Sequence, residues 1–231
     1  MKVGIIGAGN IGSALARRLT AAGHEVSIAN SRGPETLQDL VAETGAHAVP
    51  ATEAAKDADV VIVTVPQKNI PDLPAGVLDG AATGAAYVDT GNYYPRERDG
   101  RIDAIEEGTP ETQWVGQQLG RPMVKAFNNI VAPHLQDLGR PDGTPGRVAL
   151  PVAGDDSAAK AKVSALIEDL GFDVVDAGPL DQSWRQQPGS PVYLTDLDAE
   201  GVRKALAAAG TERPEGFRAT ASSPGTYANP A

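Results

Sequence analysis

The chain contains no cysteine. That excludes disulfides, a thiolate metal site and a cysteine nucleophile, and it suits a reducing compartment. Cations are also in deficit: 20 Lys and Arg stand against 30 Asp and Glu, a formal charge of −10. Surfaces for nucleic acid or anionic membrane need clustered Lys and Arg, so neither partner is expected. No apolar run approaches the ~20 residues that span a bilayer. The opening "MKVGIIGAG" is broken by glycine too early to read as a signal peptide. These absences lead us to expect a soluble, cytoplasmic protein. Histidine is scarce too: His24, His47 and His134 are scattered, with no ligand partner at i+3 or i+4, and no metal site is expected. A length of 231 residues suits one large domain, or an ordinary domain with a small partner.

What is present is a regular alternation. "KVGIIG" reads as a buried strand. Ile11, Leu15, Leu19 and Ala22 then lie one helical turn apart, and Gly23 stops the helix. "EVSIAN" (25–30) is a second strand, and Leu37, Leu40, Val41 and Thr44 form a helical face behind Pro34. "AHAV" is a weak strand and "TEAAKDA" a short helix. "DVVIVTVP" (59–66) is an apolar, β-branched strand stopped by proline; "AAYVDT" and "MVKAFN" continue the series, with a helix around Trp114 and Leu119 between them. Strands that read as solid apolar runs, separated by helices, imply a parallel sheet covered on both faces. The expected fold is α/β, a doubly wound (Rossmann) parallel sheet.

"RPDGTPG" (140–146) reads as a loop. Beyond it "RVALPVAG", a helix carrying Val163, Leu166, Ile167 and Leu170, and "FDVVDAG" form a small C-terminal α/β extension. That unit either lengthens the sheet or makes a second layer. Asp155-Asp156 reads as a helix start favoured by the dipole, and Thr195 with Asp198 fits a capping box for a last helix. The expected division is 1–138 for a dinucleotide domain, 139–209 for a small C-terminal domain and 210–231 for an extended tail lying on the body or on a partner chain.

"GIIGAGNIG" (4–12) carries G-x-G-x-x-G between the first strand and the first helix, the context that turns a weak motif into a dinucleotide fingerprint. Gly7 makes the tight turn, Gly9 lets backbone approach a pyrophosphate, and Gly12 allows close helix–strand packing. The helix start near Asn10 and Ile11 offers free N–H groups and a positive dipole end to the phosphates. At the end of the second strand an NAD enzyme places an acid against the ribose 2′-hydroxyl, whereas an NADP enzyme offers Arg. Here the text is "ANSRGP": Asn30 stands in the acid's place, with Ser31 and Arg32 beside it. Charge-assisted bonds from Arg32 to a 2′-phosphate favour NADP(H). Thr64, Val65 and Pro66, at the end of the fourth strand, are placed to pack along ribose and nicotinamide.

"GNIG…GHEV…SR", "VKAFNN" and "LPVAGDDSAAKAKV…LGFDVVDAGPL" give the chain, over residues 2 to 180, a resemblance to the F420-dependent NADP reductases, whose nucleotide domain is similar to that of the STEAP metalloreductases. The resemblance implies hydride transfer between NADPH and a deazaflavin (F420-type) coenzyme or a flavin, lying in the cleft against the nicotinamide. It implies that Ala8, Gly9, Asn10 and Ile11 hold the pyrophosphate, that Ser31 and Arg32 hold the 2′-phosphate, and that Asn128, Ile130 and Ala132 face the second ring. Asn128 stands where some members have His, and is the candidate catalytic residue. A homodimer is likewise implied by the resemblance alone.

The sequence departs from the family after "DAGPL", where "DQSWRQQPGSPVYLTDLDAEG" is polar and proline-broken. Trp184 and Tyr193 in this stretch are candidates to stack on a planar ring. Two alternatives stand beside the deazaflavin reading. One is an NADPH-dependent reductase of a flavin, imine or carbonyl compound; carbonyl reduction needs a proton donor, for which Tyr93, Tyr94 and Lys125 are candidates. A snorkelling lysine at a strand edge is the blander account of Lys125. The other is a non-catalytic NADP(H)-sensing module.

Overall fold

A computed structural model describes residues 1–231. Strand β1 (Lys2–Ile6) and helix α1 (Asn10–Ala21) are joined by the glycine turn. They are followed by β2 (Glu25–Ala29), α2 (Gln38–Thr44) and β3 (His47–Ala48), then by β4 (Val60–Val63) and β5 (Ala86–Asp89). Two short helices, α3 (Asp103–Glu106) and α4 (Glu111–Leu119), lead to β6 (Val124–Lys125). Then come α5 (Ala132–Asp137), β7 (Ala149–Ala153), α6 (Ser157–Asp169), β8 (Asp173–Gly178) and α7 (Ala199–Ala207).

All eight strands belong to one sheet, in the order β3-β2-β1-β4-β5-β6-β7-β8. Strands β1 to β6 are mutually parallel; β7 joins β6 antiparallel through Lys125 and Ala153, and β8 runs parallel to β7. The fold is therefore the doubly wound Rossmann sheet, and the C-terminal β-α-β unit lengthens that sheet. β1 has β2 on one side and β4 on the other, so the switch point, where such sheets bind ligands, lies between β1 and β4.

The period of two in the strands sorts the core onto two faces. Val60 and Ile62 of β4 pack with Leu15 and Leu19 of α1 and with Leu166 of α6, whereas Val61 and Val63 pack with Val77, Trp114 and Val115. A third cluster joins Ala149 and Val175 to Val202 and Leu206 of α7. Each fully buried Val, Leu or Ile contributes about 1.5–3 kcal/mol, which is why the apolar runs were so legible.

Several short elements differ from expectation. "TEAAKDA" forms only a 3₁₀ turn at Ala51–Glu53; its alanines Ala54 and Ala55 instead pack under the sheet, with the Ala54 carbonyl tight against Gly4. The helix behind Pro34 begins as a 3₁₀ segment, Pro34–Leu37, before α2. "MVKAFN" pairs as a strand over two residues only, because Phe127 turns the chain with φ +62°. Thr195 does not cap α7: its hydroxyl donates to the Val192 carbonyl, and Asp198 is the N-cap, accepting from the Gly201 N–H. Asp156 caps α6 by accepting from Ala158 and Ala159.

The tail lies on the body. Arg96 donates to the carbonyls of Glu215 and Arg218 (2.7 and 2.8 Å), and its own carbonyl accepts from Gly225 and Ala231. Arg213 reaches inward to Glu111.

Candidate functional site

The glycine motif builds an open anion cradle at the end of β1. Gly7 has φ +113°, and a side chain there would collide with the Thr64 carbonyl. A Cβ on Gly12 would strike the Gly7 carbonyl, so this glycine seats α1 on the turn. Gly9 is different: nothing lies within 4 Å of where its Cβ would be. Gly9 is also the N-cap of α1, with no side-chain cap and no acid in the first turn. The N–H groups of the first turn and the positive dipole end therefore face outward unneutralised. Ala8, Gly9, Asn10 and Ser13 line one side of a groove of about 500 Å³, and Ala132, Pro133 and Gln136 line the other. The structure thus brings Ala132 to the glycine loop.

At the end of β2 the loop is tied down by its own side chains. Asn30 accepts from the Arg32 N–H at 2.9 Å and donates to the Thr36 hydroxyl at 2.8 Å. Thr36 in turn donates to the Gly33 carbonyl at 2.8 Å. Asn30 is thereby spent on shaping the turn, while Ser31 and Arg32 stand exposed. The Arg32 guanidinium has no hydrogen bond or ion pair within the protein. In a chain of charge −10, an exposed arginine without a carboxylate partner is free for an external anion. Thr36 was missed from sequence because only the folded turn shows its bonds.

Thr64, Val65 and Pro66 follow β4, half-buried at the switch point, with Thr64 against Gly7 and Gly12. The adjoining wall is polar. Arg98 donates to Gln67 Oε1 (3.1 Å), to the Asn92 carbonyl (2.6 Å) and to both oxygens of Asp99. Asn128, placed by sequence against the second ring, is buried, with its amide bonded to Asn92 Oδ1, the Gln186 carbonyl and Gln186 Nε2. Ile130 is buried in the core. The strand-end residues around β5 and β6 therefore form a pre-bonded floor.

Beneath that floor lies a buried charge quartet. Lys125 is fully buried, donating to the Gly91 carbonyl (3.0 Å) and the Thr112 hydroxyl (3.2 Å). Its ammonium is 3.6 Å from Glu111 and 3.9 Å from Asp89. Thr112 donates to Asp89 at 2.5 Å, and Arg213 of the tail donates to Glu111 at 2.7 Å. Two cations thus face two carboxylates. This corrects both expectations for Lys125: it neither reaches the cleft nor snorkels at a strand edge, because the carboxylates hold it inside.

Tyr93 is also withdrawn, its hydroxyl donating to the Gly100 carbonyl and accepting from Ile102. Tyr94 differs, with its hydroxyl meeting that of Tyr193. Burial raises both phenols above the ordinary tyrosine range, and the Tyr94 contact pushes Tyr193 further. His134 pairs with Asp196 at 2.8 Å on the surface of α5. Trp184 is half-buried, lining a separate cavity between the 181–191 segment and the tail.

The glycine cradle, the acid-free β2 end and the switch point coincide with a family profile described as NADP oxidoreductase, coenzyme F420-dependent, which matches residues 2–93. Over these residues the chain is similar to that family. Its fold superposes on hypothetical protein SMa0349 from Sinorhizobium meliloti, with a TM-score of 0.73 and 38% identity over 85% of this chain and 94% of that one. It also matches the structure of a candidate F420-dependent NADP-reductase from Arthrobacter sp. FB24, with a TM-score of 0.62 and 26% identity over 80% and 87% of the two chains. Metalloreductase STEAP3 from Rattus norvegicus is 31% identical over 194 residues, which are 84% of this chain and 37% of that protein. The chain thus spans little more than a third of that curated relative. No helix in it is long and apolar enough to cross a membrane.

Proposed function

We propose that this chain is an NADP(H)-dependent oxidoreductase that transfers a hydride between NADPH and a deazaflavin coenzyme of the F420 type. The observation that carries the NADP(H) half is the pairing of two free anion sites: the uncapped, acid-free start of α1 and the unpartnered Arg32 beside Ser31. In this reading the first-turn N–H groups near Ala8, Gly9, Asn10 and Ile11 hold the pyrophosphate. Ser31 and Arg32 hold the 2′-phosphate, with Asn30, bonded to Thr36, fixing the turn that presents them. Thr64, Val65 and Pro66 pack along the nicotinamide half, and Gly7 gives the chain its turn between the two.

When bound, NADPH supplies a hydride from C4 of its dihydronicotinamide and leaves as NADP⁺, while the acceptor takes the hydride at C5 and a proton from solvent. The chain's own contribution is alignment and a surface with little water. Asn128, Asn92 and Gln186 serve that role as a rigid floor, and Ala132 closes the pyrophosphate side. We further propose that residues 1–138 bind the dinucleotide and that 139–209 cover the acceptor. A homodimer, supported by the family resemblance, and a cytoplasmic site of action, expected from the cysteine-free composition, complete the proposal.

The test mixes protein and NADPH with F420, then with FMN, and follows NADPH oxidation. Turnover with F420 supports the proposal; turnover with FMN alone reassigns the acceptor. Tight NADPH binding without any turnover would make the chain a sensing module. One observation favours a second reading, the reduction of an imine or carbonyl compound: the Tyr94 and Tyr193 hydroxyls stay protonated and meet beside the floor. A fall in kcat of about 10²–10⁴ in Tyr94→Phe with such a substrate would support it.

A further inference from the structure

Aromatic side chains make up only 4% of this protein: two Trp, five Tyr and three Phe. Four of these ten meet outside the core. Tyr94 follows the β5 loop, Tyr193 precedes α7, and Phe217 and Tyr227 come from the tail. The Tyr94 and Tyr227 rings pack edge to face with centroids 6.1 Å apart, and Tyr193 and Phe217 do the same at 6.3 Å. The Tyr94 and Tyr193 hydroxyls join the two pairs. None of the four is fully buried, and Tyr227 is 64% exposed, an unusual setting for a large ring.

Arg98 connects the cluster to the strand ends beside the switch point. Arg98 lies over the Tyr94 ring, 5.1 Å from its centroid, and donates to Gln67, the residue after Pro66. The same guanidinium donates to the Asn92 carbonyl, and Asn92 is bonded to Asn128. The Tyr94 ring is therefore linked through its contact with Arg98, and through that guanidinium's hydrogen bonds, to residues after β4 and after β6. The tail reaches this position through built anchors: the Arg213 pair with Glu111, and four bonds to Arg96, which belongs to the same turn as Tyr94.

We propose that Tyr94, Tyr193, Phe217 and Tyr227 form the acceptor-side wall of the cleft. The segment Gly210–Ala231, which brings two of the four rings, is then a determinant of acceptor specificity. The inference rests on the oxidoreductase reading for its meaning, but the binding it asserts is separable. Tyr227, 64% exposed, keeps ring surface for a flat partner at the edge of the cluster, so the chemistry recognised is a planar, fused aromatic system. Arg98 adds a cation above Tyr94 and fixes the slope of that ring. The polar, proline-broken stretch around Tyr193, where the sequence leaves its family, is the body's half of the same wall.

The experiment uses the full chain and two variants, Tyr227→Ala and Tyr227→Phe. F420 and FMN are each titrated by fluorescence in the absence of NADPH, and NADPH is titrated separately. The wall predicts that Tyr227→Ala weakens the planar probe about tenfold, from the loss of one aromatic contact. It predicts that Tyr227→Phe restores binding and that NADPH affinity stays within about twofold of wild type, on the same principle. Because Tyr227 is mostly exposed, its removal leaves the fold in place, which a thermal melt checks. Equal probe affinity in wild type and Tyr227→Ala, or failure of both probes to bind wild type, would overturn the wall. Failure of NADPH to bind would instead overturn the oxidoreductase reading, since probe binding is measured without it.

Discussion

At the scale of single residues, one motif contains two glycines with opposite duties. Gly9 faces open space and Gly12 faces the Gly7 carbonyl. Gly9→Val should therefore fold normally while placing its side chain where the diphosphate must lie, abolishing NADPH binding in a fluorescence titration. Gly12→Ala should do the reverse first, lowering stability by about 1–3 kcal/mol as an overpacked contact, read as a shift in the urea midpoint. Equal effects of both changes on binding and stability would show that the loop is an ordinary turn. These residues were legible in the sequence because their signal is local: a spacing, a strand before and a helix after. The exposed Arg32 after β2 is a local feature of the same kind. The setting of Lys125 was not legible, because the groups that hold it lie at positions 89, 111, 112 and 91, and only the fold gathers them. With Lys125→Met, two buried carboxylates would share the single cation of Arg213. A loss of about 3–5 kcal/mol is expected, measurable by denaturant unfolding.

Among elements, strands with a solid apolar run were read correctly because burial on both faces leaves few alternatives. Short elements were not, since a 3₁₀ turn such as Ala51–Glu53 and a two-residue strand such as β6 have too few residues to display a period. The α7 start was misplaced because Thr195 and Asp198 are both good capping residues, and the Thr195 hydroxyl is taken up by the preceding turn, where it donates to the Val192 carbonyl. Packing between elements also creates a pH response. His24, just before β2, lies between the N-terminal ammonium and Asp169 at the end of α6. Burial, followed by that ammonium, lowers its pKa, and Asp169 opposes the shift. The unfolded chain then binds the proton more readily than the folded one, so stability rises with pH across this titration. Thermal melts should be level above the ordinary histidine value of about 6.5. They should decline as pH falls from there through the lowered folded value, and level out again below it. His24→Asn should remove that step; a step that persists would assign it to another group.

For the whole molecule, the order of strands concentrates function on one edge. The switch point between β1 and β4 sets the glycine cradle, the β2 turn and the Thr64–Pro66 segment side by side, although they are far apart in the chain. The alternation of strands and helices made this architecture readable in advance. The proposed acceptor side was less readable, because the β5 loop, the stretch after β8 and the tail that would form it have no periodic pattern. Its rings and its charge quartet are long-range contacts. In the proposed function, the arginine at the end of β2 selects the phosphorylated coenzyme. The most direct measurement is a pair of titrations, NADPH and NADH, against the wild-type chain and Arg32→Ala. Wild type should prefer NADPH, and the variant should lose on the order of 10- to 100-fold in NADPH affinity, as expected for charge-assisted bonds, with NADH nearly unchanged. Equal affinity for both coenzymes in wild type, or equal loss of both in the variant, would contradict the account.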